Sequence, residues 1–154
     1  MQTDGKAVKT KGAFRMSVAV SIHIKATPER IWAILTDASA FPRWNSTVKE
    51  VSGVIALGQT ISLKTTADPK RTFNLKVTKA DPGKMLVWQD GAAPMFKGVR
   101  SYTISKRADG SSDFTMVETF TGLMLPMIAG SLPDFRPVFE RYAADLKAEA
   151  ERTS

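Results

Sequence analysis

The chain contains no cysteine and only 1 histidine in its 154 residues. Without cysteine there can be no disulfide framework, zinc–thiolate site or cysteine nucleophile. A single histidine also excludes a histidine-rich metal centre, so a metal would need a site built mainly from carboxylates. No apolar run approaches the ~20 residues of a membrane-spanning helix. We therefore expect no metal, no cofactor and no transmembrane segment.

Motifs of the common enzyme classes are missing as well. The sequence has no Ser-His-Asp arrangement, no phosphate-binding loop and no paired metal-ligand spacing. The first 16 residues carry positive charge without an apolar block behind it, which is unlike a secretory signal. These absences favour a cytoplasmic protein, and they leave its function without a catalytic motif to indicate it.

Positive charge is in excess, with 22 lysine and arginine residues against 15 acidic residues and a net charge of +7. Part of the excess lies in residues 1–16, which lack hydrophobic periodicity and contain Lys6, Lys9, Lys11 and Arg15 against Asp4. The other basic residues form no stripe of the kind that binds nucleic acid. We predict a disordered basic tail over 1–16, one domain over 17–152 and no nucleic-acid partner. The oligomeric state is not indicated.

Hydrophobic periodicity divides the domain into elements. Residues 17–25 alternate between apolar and polar side chains, as a half-buried strand does. Thr27, Pro28 and Glu29 then suit the cap and first turn of a helix. A second short helical segment is predicted over 38–44.

From residue 48 onward the period changes to two. Strands are predicted at about 48–55, 59–66, 71–79, 84–90, 97–107 and 112–121, with glycine, proline and aspartate in the turns between them. Short connections predict an antiparallel sheet, and a helix over 134–151 supplies the cover for its apolar face. The order is one strand, two helices, six strands and a long helix, which predicts an α+β fold with about seven strands.

Three segments resemble one known family. They are IHIKATPERIWAILTDASAFPRWNSTV, KMLVWQDGAAPMFKGVRSYTISKRADGSSDFTMVETFTG and FERYAADLKAEAE. Over residues 17–151 the chain resembles the START-like, or SRPBCC, superfamily, and within it the polyketide cyclase/dehydrase and lipid-transport group. The resemblance implies a helix-grip fold, in which a curved antiparallel sheet wraps around a long C-terminal helix. It does not imply one reaction, because similar members include lipid carriers, aromatase/cyclases and hydrolases.

The alternation of the strands predicts which side chains face the C-terminal helix. These side chains, together with apolar ones of the helix and of the segment before it, are the candidate ligand-binding residues Phe73, Leu75, Trp88, Asp90, Arg100, Tyr102, Met116, Glu118, Phe120, Met127, Phe135, Phe139 and Tyr142. One alternative is that they interdigitate and leave no space. The family resemblance favours a cavity, with a hydrophobic small molecule as the partner.

A polar row is predicted on the same face. If a hairpin pairs Trp88 with Tyr102, it places Asp90 opposite Arg100, and the next hairpin places Glu118 on the other side of Arg100. A guanidinium between two carboxylates can simply neutralise charges that are costly to bury. Alternatively, Arg100 or Glu118 fixes the polar end of an apolar ligand, or Glu118, Arg100 and Tyr102 take part in acid–base chemistry.

The apolar, methionine-rich stretch from Gly122 to Gly130 lies between the last strand and the long helix. It either packs as an extra helical turn or forms a gate over the cavity mouth, with the glycines as hinges and the loop from Gly91 to Lys97 as the facing lip.

Three functions follow from these observations. The first is binding or transport of a lipid, an isoprenoid or a polyketide-like molecule. The second is a cyclase/aromatase-like enzyme acting in the same cavity. The third is an interaction protein that uses its basic tail on a membrane surface or RNA.

Overall fold

The computed structural model describes residues 4–66, 68 and 70–152. It contains an eight-stranded curved antiparallel sheet whose spatial order is β1-β2-β8-β7-β6-β5-β4-β3. The strands are β1 (Ala7–Lys11), β2 (Arg15–Ile24), β3 (Val48–Ser52), β4 (Thr60–Thr65), β5 (Phe73–Asp81), β6 (Met85–Ala92), β7 (Phe96–Lys106) and β8 (Ser112–Thr121). Register shifts in β3 and β5 accommodate the curvature of the sheet.

The helices are α1 (Pro28–Leu35), α2 (Phe41–Trp44), α3 (Leu125–Ile128) and α4 (Arg136–Glu151), with 3₁₀ turns at Ala38–Ala40 and Ala129–Ser131. The Thr27 hydroxyl accepts a hydrogen bond from the Arg30 amide at 3.2 Å, which confirms the predicted cap of α1. The long helix begins two residues later than predicted, and Asp134 lies outside it and accepts from the Arg136 amide. This arrangement confirms the predicted α+β helix-grip fold.

The segment expected to be a disordered tail needs a correction. Residues 7–11 form the edge strand β1, which pairs with β2 from Ala7 opposite Val20 to Lys11 opposite Met16. The Ala7 amide also donates to the Glu140 carboxylate of α4 at 2.9 Å. Four of the five β1 side chains are exposed, so the strand is held through its backbone and shows no apolar alternation. Residues 1–3 lie outside the described residues.

The core lies between the sheet and α4 and is closed at one side by α1 and α2. Its largest fully buried side chains include Tyr102, Phe114, Phe139 and Tyr142. The helix is fastened at its C-terminal end, where the Arg30 guanidinium donates to the carbonyls of Glu149 and Ala150. The sheet and α4 are therefore held together at the C-terminal end of the helix, and the candidate site lies near its N-terminal end.

Candidate functional site

A cavity of about 380 Å³ lies between the sheet and the chain that leads into α4. It occupies the end of the sheet at which β4, β6 and β8 finish and β5 and β7 begin. Its lining comprises Leu63, Thr65, Asp68, Arg71, Phe73, Leu75, Trp88, Asp90, Phe96, Gly98, Arg100, Glu118, Phe120, Leu132, Pro133 and Phe135. Asp68, Arg71 and Pro133 are exposed, and they therefore mark the opening.

Eight of the thirteen candidate ligand residues line this cavity. They are Phe73, Leu75, Trp88, Asp90, Arg100, Glu118, Phe120 and Phe135. Tyr102, Met116, Phe139 and Tyr142 are no more than 2% exposed and fill the space deeper along α4. Met127 is 80% exposed on α3 and does not line the cavity. The structure thus combines the two alternatives, with a filled inner half and a hollow outer half.

The missed lining residues differ in how visible they are in the sequence. Leu63, Thr65 and Gly98 have the inward parity of their strands, so alternation places them on the same face as the candidate ligand residues. Leu132 and Pro133 precede α4 in irregular chain, where no period assigns a direction. Their place in the lining depends on the path of that segment across the sheet.

Aromatic rings form one wall of the cavity. Phe120 stacks on Phe96 with ring centroids 5.9 Å apart and on Phe135 with centroids 5.5 Å apart. The three rings come from β7, β8 and the residue before α4, so they join the sheet to the helix across the cavity. Opposite them, the Arg71 guanidinium lies over the Phe73 ring at 4.5 Å. Such a wall suits a flat or flexible apolar ligand.

Arg100 is the central polar group of the cavity. Its Nε donates to Glu118 Oε1 at 2.7 Å, and its Nη1 donates to the Tyr102 hydroxyl at 3.5 Å. The guanidinium also lies over the Phe139 ring at 5.1 Å. Burial alone would lower the pKa of Arg100, but the Glu118 carboxylate and the neighbouring tyrosines raise it, so the guanidinium stays charged. The predicted pairing of Arg100 with Glu118 is confirmed.

The other half of the predicted polar row is wrong. Trp88 lies opposite Arg100, and Asp90 lies opposite Gly98, two positions from the predicted register. The difference arises because β6 continues through Gly91 to Ala92, so that the turn is shorter than the expected loop. Asp90 still has the inward parity, because a shift of two residues preserves the face.

Asp90 remains in the cavity as a carboxylate of a different kind. Within the described residues, its side chain forms no hydrogen bond or ion pair, whereas Glu118 is held by Arg100. The facing Gly98 has no side chain, and a Cβ there would lie 3.4 Å from the Phe120 ring and 3.6 Å from Glu118 Oε2. Space beside Asp90 therefore depends on this glycine.

Tyr102 and Tyr142 close the inner end of the cavity. Their hydroxyls are 3.0 Å apart, and both side chains are fully buried. Burial raises the pKa of Tyr102, against the opposing effect of Arg100, and burial raises the pKa of Tyr142 well above 10. Both phenols therefore keep their protons at neutral pH and act as hydrogen-bonding groups.

The stretch from Gly122 to Gly130 contains the helical turn α3, as one of its two interpretations predicts. It also contacts the expected facing lip, since the Leu123 amide donates to the Pro94 carbonyl at 2.9 Å and the Met124 amide to the Met95 carbonyl at 3.0 Å. The segments are thus joined as two sides of one structure. Gating remains a prediction.

Among residues 4–66, 68 and 70–152, no group of three or more histidine, cysteine or acidic side chains could hold a metal ion. In the same residues, no helix is long and apolar enough to cross a membrane.

Comparison with known proteins gives a family and a fold. The model of the family described as "Polyketide cyclase / dehydrase and lipid transport" matches residues 15–151. None of the curated proteins matches the sequence significantly. A Mesorhizobium loti protein of known structure is 17% identical with a TM-score of 0.69, covering 90% of this chain and 98% of its own.

Two further solved structures share the fold. A START superfamily protein from Mycobacterium smegmatis is 18% identical with a TM-score of 0.64, covering 88% of this chain and 97% of its own. A protein of the dynemicin biosynthetic locus is 15% identical with a TM-score of 0.65, covering 88% of this chain and 47% of its own.

Proposed function

Because the chain belongs to the polyketide cyclase/dehydrase and lipid-transport family, we propose that it is a cytoplasmic carrier or sensor of a hydrophobic small molecule, such as a lipid, an isoprenoid or a polyketide-like ring system. The observation that carries this proposal is a hollow of about 380 Å³ with an aromatic wall. Ligand pockets typically measure ~300–1,000 Å³. Apolar burial supplies affinity at about 25 cal/mol per Å², before the costs of association.

Arg100 orients the ligand in this proposal. Glu118 and Tyr102 engage its Nε and Nη1, which fixes the guanidinium plane within the cavity. An arginine side chain has five N–H donors, so donors remain for a carboxylate, carbonyl or hydroxyl on the ligand. An amphipathic ligand therefore places its polar end at Arg100 and its apolar body along the stacked rings.

The first experiment is native mass spectrometry of protein purified from its own host, followed by organic extraction. We expect one retained apolar molecule per chain. An empty chain that also fails to bind 1-anilinonaphthalene-8-sulfonate, an environment-sensitive dye, would contradict the proposal.

Variants of β7 locate dye binding within the molecule. Gly98→Leu places a side chain in the cavity and should abolish dye binding. Ser101→Leu, on the opposite face of the same strand, is the matched control and should bind normally.

Arg100→Ala should weaken binding of a carboxylated dye more than it lowers the melting temperature. A loss of stability alone would assign Arg100 a structural role.

A second candidate function is cyclisation of a poly-carbonyl substrate, and the unpartnered Asp90 carboxylate favours it. Asp90 would remove a proton from the carbon between two carbonyls, and the enolate carbon would attack another carbonyl carbon, whose oxygen takes up a proton. Arg100 would stabilise the developing oxyanion. Asp90→Asn should then abolish ring closure of a poly-β-ketone analogue, followed by mass spectrometry, while dye binding persists. Unchanged closure would leave binding as the function.

A further inference from the structure

Large apolar side chains cluster at the end of the molecule that holds the cavity. Phe14, Met95, Leu123 and Met127 are 55%, 50%, 59% and 80% exposed, respectively. We name these four residues the apolar tip. They come from three chain segments, namely the β1–β2 turn, the β6–β7 turn and the stretch around α3. Scattered apolar side chains are normal on a protein surface, but convergence from three segments is a feature of an interaction site.

Backbone hydrogen bonds hold the three segments of the apolar tip together. The Gly122 amide donates to the Phe14 carbonyl at 3.2 Å, which joins the stretch around α3 to the β1–β2 turn. The amides of Leu123 and Met124 donate to the carbonyls of Pro94 and Met95, which joins the same stretch to the β6–β7 turn. The three segments of the apolar tip are therefore fixed relative to one another, and its four side chains are exposed.

The apolar tip adjoins the cavity. Phe96 directly follows the β6–β7 turn, Phe120 precedes Gly122 by two residues, and both rings line the cavity. Among the other exposed large apolar residues, Val8 lies within β1, and Val54 and Leu57 lie between β3 and β4 at the opposite end of the sheet. Val54 and Leu57 are thus exposed apolar residues far from the cavity, and substitutions there can serve as a control for substitutions in the apolar tip.

Basic side chains flank the apolar tip. Arg15 and Lys97 both lie opposite Thr121, on the two neighbours of β8, and Lys11 lies at the end of β1 in the same hairpin as Phe14. In the described part of the chain, none of these three cations forms an ion pair. Asp134 of the nearby segment before α4 is already paired with Arg136 at 2.9 Å. The tip therefore combines apolar side chains with uncompensated positive charge.

We propose that the apolar tip docks on an anionic phospholipid bilayer. A few apolar side chains enter the headgroup boundary while Arg15, Lys97 and Lys11 contact lipid phosphates, the combination by which peripheral proteins bind membrane interfaces. Docking brings the cavity mouth to the bilayer, so that an apolar ligand enters without crossing water. The charge of the flanking residues favours this occupant over an uncharged protein surface.

The test is co-sedimentation of the full chain with vesicles of phosphatidylcholine alone or mixed equally with phosphatidylglycerol. Binding should require phosphatidylglycerol and weaken as added salt screens the exposed charges. Leu123→Glu with Met127→Glu should weaken binding about tenfold or more, since charge replaces inserted apolar surface. Arg15→Gln with Lys97→Gln should weaken it about 25-fold, because each basic residue near an anionic surface contributes roughly fivefold and the two factors multiply.

The matched control is Val54→Glu with Leu57→Glu, which carries the same added charge at the opposite end and should lower binding only slightly. Equal loss in both glutamate pairs would overturn the proposal, as would binding to neither vesicle. Concentration-dependent dimers in sedimentation velocity that vanish in Leu123→Glu with Met127→Glu, without vesicle binding, would instead assign the tip to a second copy of the chain. The variant Leu123→Glu with Met127→Glu should still bind the dye in vesicle-free buffer. Failure of membrane docking can therefore be distinguished from failure of ligand binding.

Discussion

The inner and outer halves of the space between the sheet and α4 are built on the same strands, yet one is filled and the other hollow. In the inner half, Phe114 of β8 and Phe139 of α4 are fully buried, and the Phe114 ring lies 6.0 Å from the Tyr102 ring between centroids. In the outer half, Phe120 of the same strand lines a cavity of about 380 Å³. The difference therefore lies in what covers each part of the sheet.

Two features leave the outer half hollow. The body of α4 covers the inner half, whereas irregular chain around Leu132 and Pro133 covers the outer half. On the sheet, Gly98 provides no side chain at a position where one would contact Phe120 and Glu118. Close packing stabilises the domain in one half, and its absence in the other leaves room for a ligand.

The largest expected effect compares two phenylalanines of β8. Phe114→Ala removes a fully buried ring and should lower the free energy of unfolding by about 3–5 kcal/mol. Phe120→Ala, on the same face, removes a half-buried ring beside an existing hollow and should cost about 1–2 kcal/mol. Urea unfolding measures both, and equal losses would mean that the outer half is packed as tightly as the inner half.

The second comparison concerns the stretch from Gly122 to Gly130, which follows the cavity end of β8. Gly122 has a φ of +140°, and a Cβ there would overlap the backbone of Met95. Gly122→Ala should therefore cost about 1–3 kcal/mol and speed hydrogen exchange of the Leu123 and Met124 amides.

Gly130→Ala is the control at the other end of this stretch. A Cβ at Gly130 would meet nothing within 4 Å, so the change should stay within about 0.5 kcal/mol of the wild type. If the two alanine variants have the same free energy of unfolding, the close approach of Gly122 to Met95 does not stabilise the fold.

The sequence was informative about the faces of the strands and less so about position along them. A period of two assigns Phe73, Trp88 and Glu118 to the inward face, and the structure places them in the cavity. Tyr102 has the same inward parity but belongs to the filled half. Parity cannot separate these cases, because the separation depends on where α4 begins to cover the sheet.

Two errors have physical causes that periodicity does not capture. The strand β1 is an edge strand with mostly exposed side chains, so its pairing with β2 leaves no apolar pattern. The register of β6 and β7 depends on turn length, and Gly91 and Pro94 are both compatible with a wider turn than the one that forms. Because the resulting shift is two residues, Asp90 stays on the inward face while its predicted partner changes.

The third comparison concerns the boundary between the halves, where Tyr102 and Tyr142 meet. Burial raises the pKa of both phenols, so the folded state favours the neutral forms. Unfolded tyrosines ionise near pH 10. The contribution of the pair to the free energy of unfolding should therefore be constant below about pH 10 and decrease above it. Each tyrosine contributes a slope of about 1.4 kcal/mol per pH unit until the pKa of the folded state is reached.

Tyr142→Phe isolates one of these slopes. At neutral pH it should cost about 1 kcal/mol, because it removes the hydrogen bond to Tyr102. Between about pH 10 and 11 it should lose about 1 kcal/mol less than the wild type, since the unfolded tyrosine is only half ionised at pH 10 and lysine ionisation is common to both. The chain has only 2 tyrosines, so tyrosinate absorbance follows this pair alone and should rise together with unfolding. Absorbance that rises in the folded protein near pH 10 would mean that water reaches the hydroxyls and that the boundary between the halves is open.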